Sequence, residues 1–417
     1  MLAAYDEAAA TIGWPGFDAR TVPIAMIDDA RTYLVRHPSP PAEFDRMRGV
    51  EGGAVADVVL ADTRANTDIE LAGVRTAVIA FPEGDVDPMA SAALAMHEAF
   101  HAYQTTRHPG WVANEVDLFT YPVRPAALLE LRRLEGGALR RAVTAPDSVR
   151  ELCWAQEFLR VRARRFARLD DASVAYERHT ELREGLARYV EARAAGRSEV
   201  ALPADGFPPE RVRDRAYATG HALAVLLDRL APRWKDSLMA GGEAASLDGL
   251  LGAAIGARSA RSCRASPDEA ARARALARSD SADLVRRDAR ARAAFDDAPG
   301  WRLEIAADGA PVAPERFDPL HVRVLDARHV LHTRWLRVGG ESISAEILDR
   351  AAMTRGLDGH PLFAGLDRVW VTGLREPEVL VSGDTIRITT EGVTVTAVGA
   401  ALERDGQRVL LRLAAGG

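Results

Sequence analysis

The chain has 417 residues, enough for two or three domains that each bury a core. Its 54 basic and 60 acidic residues give a formal charge of −6, which argues against a nucleic-acid-binding protein. Lys235 is the only lysine, and Cys153 and Cys263 are too few for a disulfide framework and lie outside any Cys-x-x-Cys arrangement.

Residues 1–85 read as a small mixed α/β scaffold region that nominates no chemistry. Strand candidates are Val22–Ile27, Ala54–Leu60 and the β-branched run Thr76–Phe81, separated by loops bearing Pro and Gly. The N-terminus, Met1-Leu-Ala-Ala-Tyr-Asp6, has neither a basic region nor an apolar stretch behind it. No apolar run approaches the ~20 residues needed to span a bilayer. The expectation is a soluble, cytoplasmic protein with no membrane partner.

Residues 86–300 have helical periodicity. Asp87-Pro88 supplies an N-cap and a proline at the first helical position, and Pro109-Gly110 closes the segment. Within it, Met89, Ala93, Met96, Phe100 and Tyr103 form an apolar face, and His97, His101 and Gln104 share another. The segment holds His97-Glu98-x-x-His101. On a helix, positions i and i+4 fall nearly above one another, so both imidazoles reach one point, as two metal ligands must. Glu98 follows the first histidine, and its carboxylate can take a proton from a metal-activated water instead of binding the metal.

Further helices are expected from Pro125, from Pro146-Asp147, from about Ala172 to Ala195 with a stop at Gly196, and from Glu210 to Pro232. Ser266-Pro267-Asp268-Glu269 opens a long Arg/Ala/Asp helix with a solvated, ion-paired face. From residue 301 to 417 the texture turns to alternation. Thr385–Thr390 and Val393–Val398 read as period-two strands, and Asp405-Gly406 as a hairpin turn into Arg408–Arg412. The fold class is α+β: an α/β region, a mainly helical zinc-binding domain and a β-rich C-terminal domain suited to packing or recognition.

A catalytic zinc needs a third protein ligand, with water in the fourth position. A third histidine in the pattern of the metzincins is excluded, because Gln104 and Arg107 stand at the required places. Two glutamate segments remain. One is Glu181-Leu-Arg-Glu184-Gly185-Leu-Ala-Arg-Tyr189, and the other is Leu134-Glu135-Gly136-Gly137, whose paired glycines suggest an interrupted helix.

The first segment, with His97-Glu98-x-x-His101, resembles the gluzincin metallopeptidases, the group that includes the thermolysin-like enzymes. The resemblance covers roughly residues 75–230. It implies that Glu184 completes the zinc site and that a nearby Tyr or His serves the oxyanion; here those are Tyr217 and His221, at i and i+4 on the next helix. Gly185 would admit a neighbouring backbone, and a mid-helix Gly220 suggests the same of its own helix. Glu181 is the expected acceptor for a ligand histidine's second ring nitrogen, against the plainer reading of an exposed acidic stripe paired with arginines. The functional expectation is a zinc hydrolase acting on a peptide or protein substrate, with Glu98 as general base. The rival is a binding or scaffolding protein that keeps such a fold without catalysis.

Overall fold

The computed structural model describes the whole chain except residues 29, 59, 61–65, 81–86, 257–261 and 415–417. It divides into two compact units, Met1–Ser281 and Ala282–Gly417, with the division inside the helix Pro267–Asp296. Residues 1–85, read as an α/β scaffold region, lie in the same compact unit as the motif helix. The reason is burial: Ile24, Val35, Ala77 and Ile79 of the sheet share one hydrophobic cluster with Ala93, Met96 and Phe100 of that helix.

The sheet of the first unit has six strands in the order Asp45–Arg46, Gly53–Ala56, Thr32–Val35, Ile24–Ile27, Val74–Ala80, Thr67–Leu71. Val74–Ala80 pairs in parallel with Ile24–Ile27 and antiparallel with Thr67–Leu71. The second expected strand stops at Ala56, and Val59 and Phe81, its expected penultimate residue and the expected end of the third, lie outside the described residues.

The helices follow the start and stop chemistry of the sequence. In the motif helix Pro88–Arg107 the Asp87 carboxylate accepts from the Met89 amide at 2.9 Å. Asp147 caps Ser148–Phe166 through the Arg150 amide at 2.8 Å. Ser266 and Glu269 form a reciprocal capping box at 3.2 and 2.8 Å. Two local expectations fail. Met89 is 47% exposed and leaves the apolar face, because it sits in the first turn ahead of the contact with the sheet. Gly136 and Gly137 do not interrupt anything; Ala126–Val143 is a single helix, its buried leucines supplying what the glycines lack in propensity.

In the second unit, a seven-stranded and a six-stranded sheet bury a common core that includes Leu303, Val371 and Leu411 from one and Leu336, Ile388 and Val395 from the other. Thr385–Thr390 and Val393–Val398 pair antiparallel, and Asp405-Gly406 turns Ala401–Asp405 into Arg408–Arg412, with Gly406 at φ +53°. No helix among the described residues is long and apolar enough to cross a membrane.

The two cysteines are bonded to each other. Cys153, in the helix Ser148–Phe166, forms a disulfide with Cys263, closing a loop across a sequence separation of 110. A single crosslink needs no framework, and one that closes so long a loop removes substantial entropy from the unfolded chain. Replacing both cysteines with serine should lower the stability of the first unit by about 2–5 kcal/mol. Chemical denaturation of the double variant against wild type measures it.

Candidate metal centre

The motif helix is bracketed by the segment Asp171–Ala194. That segment is helical throughout, but Glu181–Gly185 forms a turn of π-helix between Asp171–Thr180 and Leu186–Ala194. In an unbroken α-helix, Glu177, Glu181 and Glu184 would stay near one face, since residues three and four apart are neighbours. Widening the repeat here turns Glu184 away from the other two.

The consequences are visible in the partners. The Oε2 atom of Glu184 lies 3.2 Å from His101 Nε2 and 3.8 Å from His97 Nε2. The three potential ligand atoms lie within 4.8 Å of one another. Glu181 faces the opposite way, fully buried, and accepts from Arg162 Nη2 at 2.7 and 2.6 Å. Glu177 is paired with Arg165 and Arg215. Glu135 is held by Arg162 at 3.1 Å and by Arg165 at 2.5 Å, away from the histidines. The alternative reading, an exposed acidic stripe, also fails: these carboxylates form a buried ionic network because arginines from two other helices reach them. Glu181 is not the acceptor behind a histidine.

That acceptor is Glu191, one further stretch along the same helix. Its Oε2 lies 3.1 Å from His97 Nδ1. Glu191 is itself held by Arg188 at 2.9 Å and Arg197 at 3.2 Å. Behind His101 stands Gln104, whose Oε1 is 2.9 Å from Nδ1 and whose amide donates to the Leu182 carbonyl at 2.9 Å. Each histidine therefore has its Nδ1 engaged and its Nε2 directed at the Glu184 carboxylate, the arrangement that orients a ligand imidazole. Glu191 was legible in principle, seven residues beyond Glu184. Its spacing to His97, which depends on the π turn, was not.

Charge and burial set the protonation of the group. His97 is pushed up to about 9, because the carboxylates of Glu184 and Glu191 on either side outweigh the burial that opposes its charge. Burial lowers His101 despite Glu184. Glu184 is held well below the usual carboxylate range against its own burial by His101, His97 and Tyr217. Burial, with Glu184 and Asp68 nearby, pushes Glu98 up to about 7. Two imidazoles and one carboxylate are a donor set that suits zinc; His97, His101 and Glu184 would hold it, and binding would require the His97 imidazole neutral.

The helix Val212–Leu230 closes the other side. Gly185 and Gly220 meet at the crossing. A Cβ on Gly185 would stand 2.6 Å from Gly220 Cα, and one on Gly220 would stand 2.5 Å from the Glu181 carbonyl oxygen. This contact brings Tyr217 near Glu184, and burial together with that carboxylate raises its phenol. Arg213, four residues earlier, donates to Glu184 Oε1 at 3.1 Å and to the Tyr217 oxygen at 3.2 Å. Arg213 went unnoticed in the sequence, where it is one arginine among many. Among the described residues, no hydrogen bond or ion pair joins His221 to His97, His101 or Glu184. It lines a cleft of about 470 Å³ together with His97, Tyr217, Arg188 and Arg197, and burial pushes it down to about 4, so it is neutral at pH 7. No protein-family model matches this chain, and comparison with curated proteins and with solved structures yields no match.

Two outcomes follow from this geometry. Gly185→Ala or Gly220→Ala should each destabilise the first unit by about 1–3 kcal/mol through overpacking, while Gly136→Ala, where a Cβ meets nothing within 4 Å, should be neutral or stabilising. Denaturant midpoints compare the three. Glu191→Ala should weaken metal affinity about 10–100-fold with the fold intact. Glu181→Ala should instead cost about 3–5 kcal/mol of stability by exposing Arg162 to an incomplete set of counter-charges. Metal titration and denaturation of the same pair of variants separate the two roles.

Proposed function

We propose that the protein is a zinc-dependent hydrolase, specifically a metallopeptidase of the gluzincin type, with His97, His101 and Glu184 as its metal ligands. The observation that supports this is the convergence of two Nε2 atoms and one carboxylate oxygen, each imidazole backed by its own acceptor. Zinc bound there would supply Lewis acidity and a water that loses its proton near neutral pH.

The remaining chemistry belongs to the side chains. Glu98, next to His97 and raised to about 7, is matched to accept a proton from the attacking water and return it to the leaving amine. Glu191 and Gln104 hold the imidazoles in one tautomer. Burial and Glu184 raise the Tyr217 phenol, so it stays protonated and able to donate to an oxyanion forming in the cleft. Arg213 donates both to Glu184 Oε1 and to the Tyr217 oxygen, which leaves the phenol proton free for the substrate. His221, neutral and facing the same cleft, contributes to the substrate wall.

For the cellular compartment, the expected cytoplasmic placement and the Cys153–Cys263 disulfide point in opposite directions, since disulfides persist in oxidising surroundings. The disulfide favours an oxidising compartment. Alkylation of protein isolated without reductant, read by mass, should find neither thiol free; two modified cysteines would restore the cytoplasmic reading.

The test of the function is metal analysis joined to a peptide-library digest. The purified protein should carry about one equivalent of zinc and cleave peptides. His97→Ala and His101→Ala should lose both properties. Glu98→Gln should keep the zinc and lose at least ~10²-fold in rate. Bound zinc without any cleavage in wild type would favour the scaffolding alternative, and absence of zinc binding would end the proposal.

A further inference from the structure

Away from the metal centre, the carboxylates of the ionic network do not satisfy all its arginines. Arg132, on the helix Ala126–Val143, is 6% exposed, yet it has no carboxylate within 4 Å among the described residues. Its Nη1 donates to the Pro209 carbonyl at 2.8 Å, and its Nη2 is buried without a partner. Arg215, 7% exposed on the helix Val212–Leu230, has an unpartnered Nε; its Nη2 lies 2.7 Å from Glu177 Oε1 but outside hydrogen-bonding geometry.

Arg132 and Arg215 both line one cavity of about 30 Å³. Its other walls include Leu139 and Phe158, which offer no hydrogen bonds. Glu135 and Asp280 also border it, but each is committed elsewhere: Glu135 to Arg162 and Arg165, Asp280 to Arg133.

Arg132 differs from its buried neighbours: Arg162, Arg165 and Arg215 each have a carboxylate oxygen within 4 Å, whereas Arg132 has none among the described residues. A buried charge without a counter-charge is costly. A water needs on the order of 10–15 Å³ of such space, so the cavity has room for one small occupant or two. Water would satisfy the orphaned N–H groups but bring no counter-charge to Arg132; a monovalent anion supplies both.

We propose that the cavity between Arg132 and Arg215 is a binding site for one halide-sized anion, chloride under ordinary conditions. The site ties the helix Ala126–Val143 to the helix Val212–Leu230, two residues from Arg213, and so braces the helix that carries Tyr217.

Thermal unfolding of the full chain in sodium chloride or bromide, against sodium gluconate at equal ionic strength, tests this. The halides should raise the midpoint by about 2–4 °C, as a ligand bound only by the folded state does. Arg132→Gln should abolish the difference. A crystal soaked in bromide should show anomalous density between the two guanidinium groups. Equal midpoints in halide and gluconate would make water the occupant and overturn the proposal. A difference that persists in Arg132→Gln would be a general salt effect and would overturn it as well. If Arg132→Gln does not fold, chloride-35 line widths of the wild type decide: broadening that bromide relieves supports the site, and none refutes it.

Discussion

Everything around the candidate centre depends on one turn of π-helix, Glu181–Gly185. A regular helix would leave Glu177, Glu181 and Glu184 as neighbours on a shared face, three carboxylates competing for the same surroundings. The wider turn divides them. Glu177 and Glu181 enter an interior filled with guanidinium groups, and Glu184 enters one bounded by imidazoles. Such turns are usually found where a side chain must be re-aimed, because the lost i→i−4 bond needs a compensating gain. Here the gain is two sets of ion pairs in place of a cluster of like charges.

The turn is held from several directions. Arg183 donates to Asp68 on the edge strand at 2.7 Å, to Thr105 at 2.8 Å and to the His101 carbonyl at 3.2 Å. Gln104 binds the Leu182 carbonyl, and Gly220 lies against the Glu181 backbone. The motif helix, the sheet edge and the Val212–Leu230 helix thus all touch the same five residues. Three elements meeting at these five residues fix the aim of Glu184 towards His97 and His101, the kind of support a preorganised site requires.

The buried network has a different character. Replacing paired buried charges by apolar side chains is often neutral for stability, so a network of arginines and glutamates is better understood through direction than through strength. Each arginine admits a neighbour only where a carboxylate or another acceptor can stand. That requirement selects the orientation of the Asp171–Ala194 segment and hence the aim of Glu184. The same requirement is incompletely met at Arg132, which is why that place stands out from the rest of the interior.

What the sequence determined by itself was local. Asp87 and Pro88 start the motif helix, the i, i+4 spacing puts His97 and His101 together, Ser266 and Glu269 cap the long helix, and alternation marks the strands at 385–390 and 393–398. These depend on dihedral preferences and on contacts within a few residues, which spacing encodes. The pairing of Glu191, Arg213 and Cys263 with distant partners was decided only by the tertiary structure, and Glu184 could be matched to His97 and His101 only through the resemblance, not from spacing. Equivalent glutamates at 135, 181 and 184 differ in nothing that spacing records. Which cations surround each one depends on helices that meet in three dimensions, and a single extra residue in one turn changes the answer. For the same reason Glu181 could be read as the acceptor for a histidine when its counter-charge, Arg162, lay on a helix 19 residues earlier.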